Sequence, residues 1–127
     1  MPKVKVVLFK EDDGNVPVIE FMNTVPQRQR EKMIVRVERL RELGSDLRRP
    51  EADYLRDDIF ELRVRFGHVN YRLLYFFHGN TIAVLAAGLT KEDRVPPRDI
   101  DEAIKRRARF MQNPARHSCD FLEGLTK

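Results

Sequence analysis

Residues 59–89 hold three apolar runs in succession, parted only by turn signals of two or three residues. In the first run Phe60, Leu62, Val64 and Phe66 alternate with Glu61, Arg63 and Arg65. That period of two is what a half-buried strand requires. Gly67-His68 makes a turn, and Asn70 to Phe77 reads as a second strand, apolar on both faces except at Arg72. His78-Gly79-Asn80 is another tight turn. Thr81 to Leu89, centred on Ile82, Val84 and Leu85, is a third strand that ends in Thr90-Lys91. Strands joined this closely form an antiparallel meander.

The flanking segments supply helices. Val4, Val6 and Leu8 alternate with lysines, which predicts a further strand with one buried face. Asn15 is placed to cap a short helix with Pro17 in its first turn, where the missing N–H does no harm. Pro26 opens a second helix whose stripe is Met33, Ile34, Val37, Leu40 and Leu43, with Gly44 at its end. Ser45 to Asp58 is polar, contains Pro50 and reads as a connection with one short helical turn at most. Pro96-Pro97 starts a final helix with Ile100, Ala103, Ile104, Ala108 and Met111 on its buried side, and Asn113-Pro114 stops it. The expectation is a single α+β domain over residues 1–112, an antiparallel meander with N-terminal helices and a C-terminal helix packed on it. Residues 113–127 form a tail of uncertain order.

At 127 residues there is chain for one hydrophobic core and not two. The net charge is +4 and the isoelectric point about 9.5, a balance that favours a polyanionic partner. Plain solubility explains such a charge equally well. Cys119 is the only cysteine, so an internal disulfide is excluded, and its polar surroundings offer no positioned base for a nucleophilic thiol. The histidines are scattered and no spacing suits a metal, so neither metal nor other cofactor is expected. With no signal-like apolar stretch at the start and no segment of membrane-spanning length, the expected location is the cytoplasm.

Alternation sends Glu61, Arg63 and Arg65 to one face of their strand. In the register of a short hairpin, Arg72 and Asn70 share that face from the neighbouring strand, and Lys91 stands where the third strand leaves the sheet. Arg72 needs a partner or a route to solvent, because an unpaired buried charge costs several kcal/mol. Arg63, Arg72 and Lys91 form a candidate anion site, with Glu61 beside it and His68 in the turn between the strands. Arg65 and Asn70 extend that patch, and the helix residues Lys105 and Arg106 are placed to steer a polyanion toward it. Each has an ordinary structural explanation when taken alone: an ion pair for Arg63 and Arg72, solvation for Lys91 and the helix cations, a surface turn for His68.

Several segments resemble the HigB-like, phage-derived branch of the RelE/HigB toxin superfamily. They are Ile59-Phe60-Glu61-Leu62-Arg63, Tyr71-Arg72-Leu73-Leu74-Tyr75-Phe76, Gly88-Leu89-Thr90-Lys91, and Pro97 with the Ile100-to-Arg107 helix. Gly14-Asn15-Val16-Pro17-Val18 resembles the family's opening, so the likeness runs from about Val4 to Phe110. The branch commonly has a second lysine directly after the position of Lys91, where this chain has Glu92. The resemblance implies a compact antiparallel sheet with helices on one side. It further implies a metal-independent, ribosome-dependent endoribonuclease that cuts mRNA and is silenced by a helix-turn-helix antitoxin. RNA carries its own nucleophile in the 2′-OH, so such a catalyst mainly aligns that oxygen and neutralises charge on the phosphorane. Arginine suits the second task, so the resemblance implies a catalytic set of Arg63, Arg72 and Lys91 with Glu61 or His68 as base, and RNA contacts from Arg65, Asn70, Lys105 and Arg106. Two other readings share the scaffold: a ParE-like gyrase poison, and a phage-derived structural protein without catalytic activity.

Overall fold

The computed structural model describes residues 2–91 and 93–121, with Lys91 described by its backbone alone. The elements run β1 (Lys5–Phe9), α1 (Pro17–Asn23), α2 (Gln27–Leu43), a 3-10 turn (Gly44–Asp46), β2 (Ala52–Arg56), β3 (Ile59–Phe66), β4 (Val69–His78), β5 (Ile82–Lys91), α3 (Pro97–Gln112) and β6 (Ser118–Asp120). Among the described residues they make one six-stranded sheet in the order β2-β3-β4-β5-β1-β6. The α+β class and the meander β3-β4-β5 are as the sequence predicts, and β2 extends the meander at one edge. β1 joins beside β5 in parallel, while β6 pairs antiparallel with β1.

Helices cover both faces of this sheet, not one. Val6 and Leu8 of β1 pack with Val18, Met22, Met33, Val37 and Leu40 of α1 and α2. Val7 and Phe9, pointing the other way, pack with Ile100, Ala103 and Phe110 of α3. β1 is therefore buried on both faces, which is why its apolar run is nearly continuous where simple alternation was expected. Pro17 occupies the first turn of α1 as anticipated, but Val16 and not Asn15 is the cap residue. Asn15 turns back instead, its backbone N–H donating to Asp13 Oδ1 at 2.9 Å. α1 lies close on β5: a methyl group built on Gly88 would fall 2.2 Å from Phe21 Cδ2.

Three further differences bear on the site. The polar stretch after Gly44 contains β2, a five-residue strand with a bulge between Tyr54 and Arg56. Its weak alternation hid it. The segment after Asn113 carries β6 and buries Phe121, so part of the expected tail belongs to the sheet. Finally, β5 has a bulge opposite Leu74 and Tyr75, where Ala86 is skipped in register. Arg106 Nη1 donates to the Ala86 carbonyl at 2.9 Å, which ties α3 to the sheet there.

Candidate functional site

The register of β3, β4 and β5 sets Glu61, Leu74 and Ala87 in one row across the sheet, Arg63, Arg72 and Leu89 in the next, and Arg65, Asn70 and Lys91 in the third. Arg63 and Arg72 are thus direct cross-strand partners on one face. Like charges set opposite each other repel, and the arrangement needs an anion between them. Glu61 supplies it: its Oε1 accepts from Arg63 Nε at 2.9 Å and from Arg72 Nη1 at 3.1 Å. Asp53 of β2 takes Arg63 Nη2 at 3.1 Å, and the Asp93 carbonyl takes Arg72 Nη2. Glu61 is 2% exposed and the Arg72 side chain 8%, whereas the Arg63 side chain is 35% exposed.

These residues floor a cleft of about 770 Å³. Five arginines line it: Arg56, Arg63, Arg65, Arg72 and Arg94. Three carboxylates do so as well: Asp53, Glu61 and Asp93. The balance is positive, and Glu61 and Asp53 hold Arg63 while Glu61 also holds Arg72. Burial, and secondarily the Glu61 charge across the sheet, pushes the Tyr75 hydroxyl well above its ordinary range.

β3 holds its arginines in place through an unusual edge. β2 stops pairing at Ala52–Leu62, and the next contact on that side is the Arg63 N–H donating to the Glu51 carbonyl at 2.9 Å. Beyond it, side chains of α2 replace the missing strand. Arg36 donates to the Arg63 carbonyl and Lys32 Nζ to the Arg65 carbonyl, the latter at 2.9 Å. The backbone carbonyls of two cleft arginines are thereby satisfied without closing the cleft to solvent.

Not every candidate from the sequence gathers here. Arg63, Arg72, Glu61, Arg65 and Asn70 do. His68 is exposed in the β3–β4 turn and does not line the cleft. Glu61 is buried, and its carboxylate holds the guanidinium groups of both Arg63 and Arg72. Lys105 is exposed on α3, Arg106 is spent on the Ala86 carbonyl, and neither lines the cleft. Lys91 reaches the third row by its Cα, as partner of Asn70; its side chain and the whole of Glu92 lie outside the described residues. Sequence reasoning missed Asp53, Arg56 and Arg94. The first two sit on the unrecognised β2, and Arg94 follows Lys91 in the link to α3, where only its nearness to the third strand's end could have pointed to it.

A family model described as Phage derived protein Gp49-like (DUF891) matches residues 20–108. The chain belongs to the Gp49-like family. This is a phage-derived, toxin-like family of the RelE/HigB type, so the resemblance seen in the sequence holds at that level. No curated protein matches the chain. The matched stretch of this Gp49-like protein includes every residue lining the arginine cleft. Among its described residues, no helix is long and apolar enough to cross a membrane.

Proposed function

We propose that this Gp49-like protein is the toxin of a toxin–antitoxin pair, and that it cleaves mRNA on the ribosome with the arginine cleft as its phosphate-binding centre. The observation that carries the reading is the placement of Arg63 and Arg72 as cross-strand partners, locked in one orientation by Glu61 at the floor of an open, positively charged cleft.

In this mechanism the substrate's 2′-OH attacks the adjacent phosphorus, the 5′-oxygen leaves, and negative charge builds on the non-bridging oxygens in between. Arg63 meets that charge. Two of its nitrogens are held by Glu61 and Asp53, so the plane of its fork is set before substrate arrives and little entropy is lost on binding. Arg72 lies deeper and works as a positioning residue: it shares Glu61 and adds its field from below. Arg65, Arg94 and Asn70 line the path of the backbone on either side. The cleft supplies alignment and charge, and the proton transfers are left to the surroundings in which the ribosome presents the message. A helix-turn-helix antitoxin is the proposed silencing partner.

The test is inducible expression with and without the adjacent reading frame, followed by mapping of mRNA 5′ ends. Codon-phased cuts that vanish in Arg63→Gln are expected. Double-strand DNA breaks without such cuts would transfer the reading to a gyrase poison, and growth unaffected by expression of intact protein would remove toxicity altogether.

A further inference from the structure

Tyr54 is the one exposed Phe or Tyr among the described residues, at 52%. It stands on β2, the edge strand beside the cleft, and lines two hollows at once. One is the arginine cleft; the other is a groove of about 400 Å³ floored by Leu47, Ala52 and Phe60. Its ring meets Phe60 edge-on at 5.1 Å, and Phe60 in turn contacts Tyr75 and Phe77 at 5.4 and 5.3 Å. The ring is thus backed by a rigid aromatic stack, and its hydroxyl is pinned by the Asp58 N–H at 3.1 Å. A chain of charges crosses the strand at the same place. Asp53, the residue before Tyr54, takes Arg63 from the cleft side at 3.1 Å and Arg49 from the groove side at 3.0 Å.

We infer that Tyr54 is a nucleobase-stacking subsite: an unstacked base of a single-stranded RNA, adjacent to the phosphate held at Arg63, lies on its ring. This rests on the proposed function of the cleft and names the form of substrate it takes. Three features argue for a base over another occupant. The ring is held rigid yet left open, as a stacking platform must be. Cations flank it on both sides, along the line a phosphate backbone would follow from Arg63 over the edge to Arg49. It also lines the arginine cleft together with Arg63, at the strand edge where cleft and groove meet. A duplex keeps its bases stacked inside and would offer none to this ring.

The chain has no tryptophan, so Tyr54→Trp creates a single reporter at the subsite. Its fluorescence is to be titrated with two 2′-O-methyl RNA hexamers, which resist cleavage, one intact and one abasic. Quenching by the intact hexamer alone is expected. In direct binding, Tyr54→Ala is expected to weaken the intact hexamer roughly ten-fold and leave the abasic one unchanged. Arg63→Gln should weaken both, and Tyr54→Phe should match wild type. Wild-type affinity in Tyr54→Ala, with Arg63→Gln still defective, overturns the subsite and leaves the cleft standing. A loss in Tyr54→Phe as large as in Tyr54→Ala traces the effect to the Asp58 contact and overturns it as well. If wild-type protein binds neither hexamer, the subsite falls, and the cleft reading is decided by the mapping of mRNA 5′ ends.

Discussion

Arg63 and Arg72 face each other across two strands yet have different fates on mutation. Arg72 is buried and paired with a buried carboxylate, so Arg72→Ala leaves Glu61 with one cation where it had two. Breaking a buried pair by removing one partner is strongly destabilising, and a loss of about 3 kcal/mol is expected from urea unfolding. Loss of toxicity in that variant would then report folding as much as chemistry. Arg63 is the cleaner probe. Its side chain is partly exposed and a Gln amide can still donate to Glu61, so Arg63→Gln should cost less stability than Arg72→Ala while lowering RNA cleavage about a hundred-fold or more. Arg63→Lys should not restore cleavage, because an ammonium group lacks the planar fork that Glu61 and Asp53 orient. Side-by-side unfolding curves and cleavage rates for the two positions check all of this. Equal stability losses at both would undo the distinction drawn between them.

Among the elements, α2 acts as a buttress for the site, and its attachment to β2 is sensitive to acid. Glu51 lies just before β2 and is held by Arg39 through two hydrogen bonds of 3.0 and 2.9 Å, with Arg36 at 3.4 Å. The Arg39 guanidinium holds the Glu51 carboxyl below its ordinary value. A carboxylate whose folded pKa is depressed stabilises the fold above its unfolded pKa, about 4.3, and loses that contribution as pH falls through the folded value. Stability should therefore decline below about pH 4.3, and Glu51→Gln should flatten that part of the profile; an unchanged acid limb in the variant would contradict the assignment. On the opposite flank of α1, Gly88→Ala forces the Phe21 ring to move and should cost about 1–3 kcal/mol, read as a lower thermal midpoint. Of these elements, β3, β4 and β5 were legible because alternation and two-residue turns are local signals. β2 was not, since a five-residue strand with a bulge, rich in charged residues, carries almost no period. The buttressing by Lys32 and Arg36 was invisible for another reason: both look like solvated cations until the fold brings β3 beneath them.

In the whole molecule, the sheet is longer and more enclosed than its central meander. β6 covers the outer edge of β1 and brings Phe121 into the core on the α1–α2 side. The same segment stacks His117 on Phe9 at 5.1 Å, and His117 Nδ1 lies 2.8 Å from the Lys10 carbonyl. Phe121→Ala should accordingly cost about 3 kcal/mol or more, measured by thermal unfolding; a neutral effect would show that this segment contributes nothing to the core. By itself the chain of residues determined the antiparallel meander, the three helices and the row that sets Arg63 beside Arg72. All of these follow from periodicity and short turns, which act between near neighbours. Tertiary structure alone decided that helices cover both faces, that Arg106 serves a bulge, and that Glu61 bridges the two arginines while Asp53 and Arg94 join them. Those outcomes depend on which distant groups meet in space, and the energy of an ion pair or a packed ring depends on burial that no local pattern encodes.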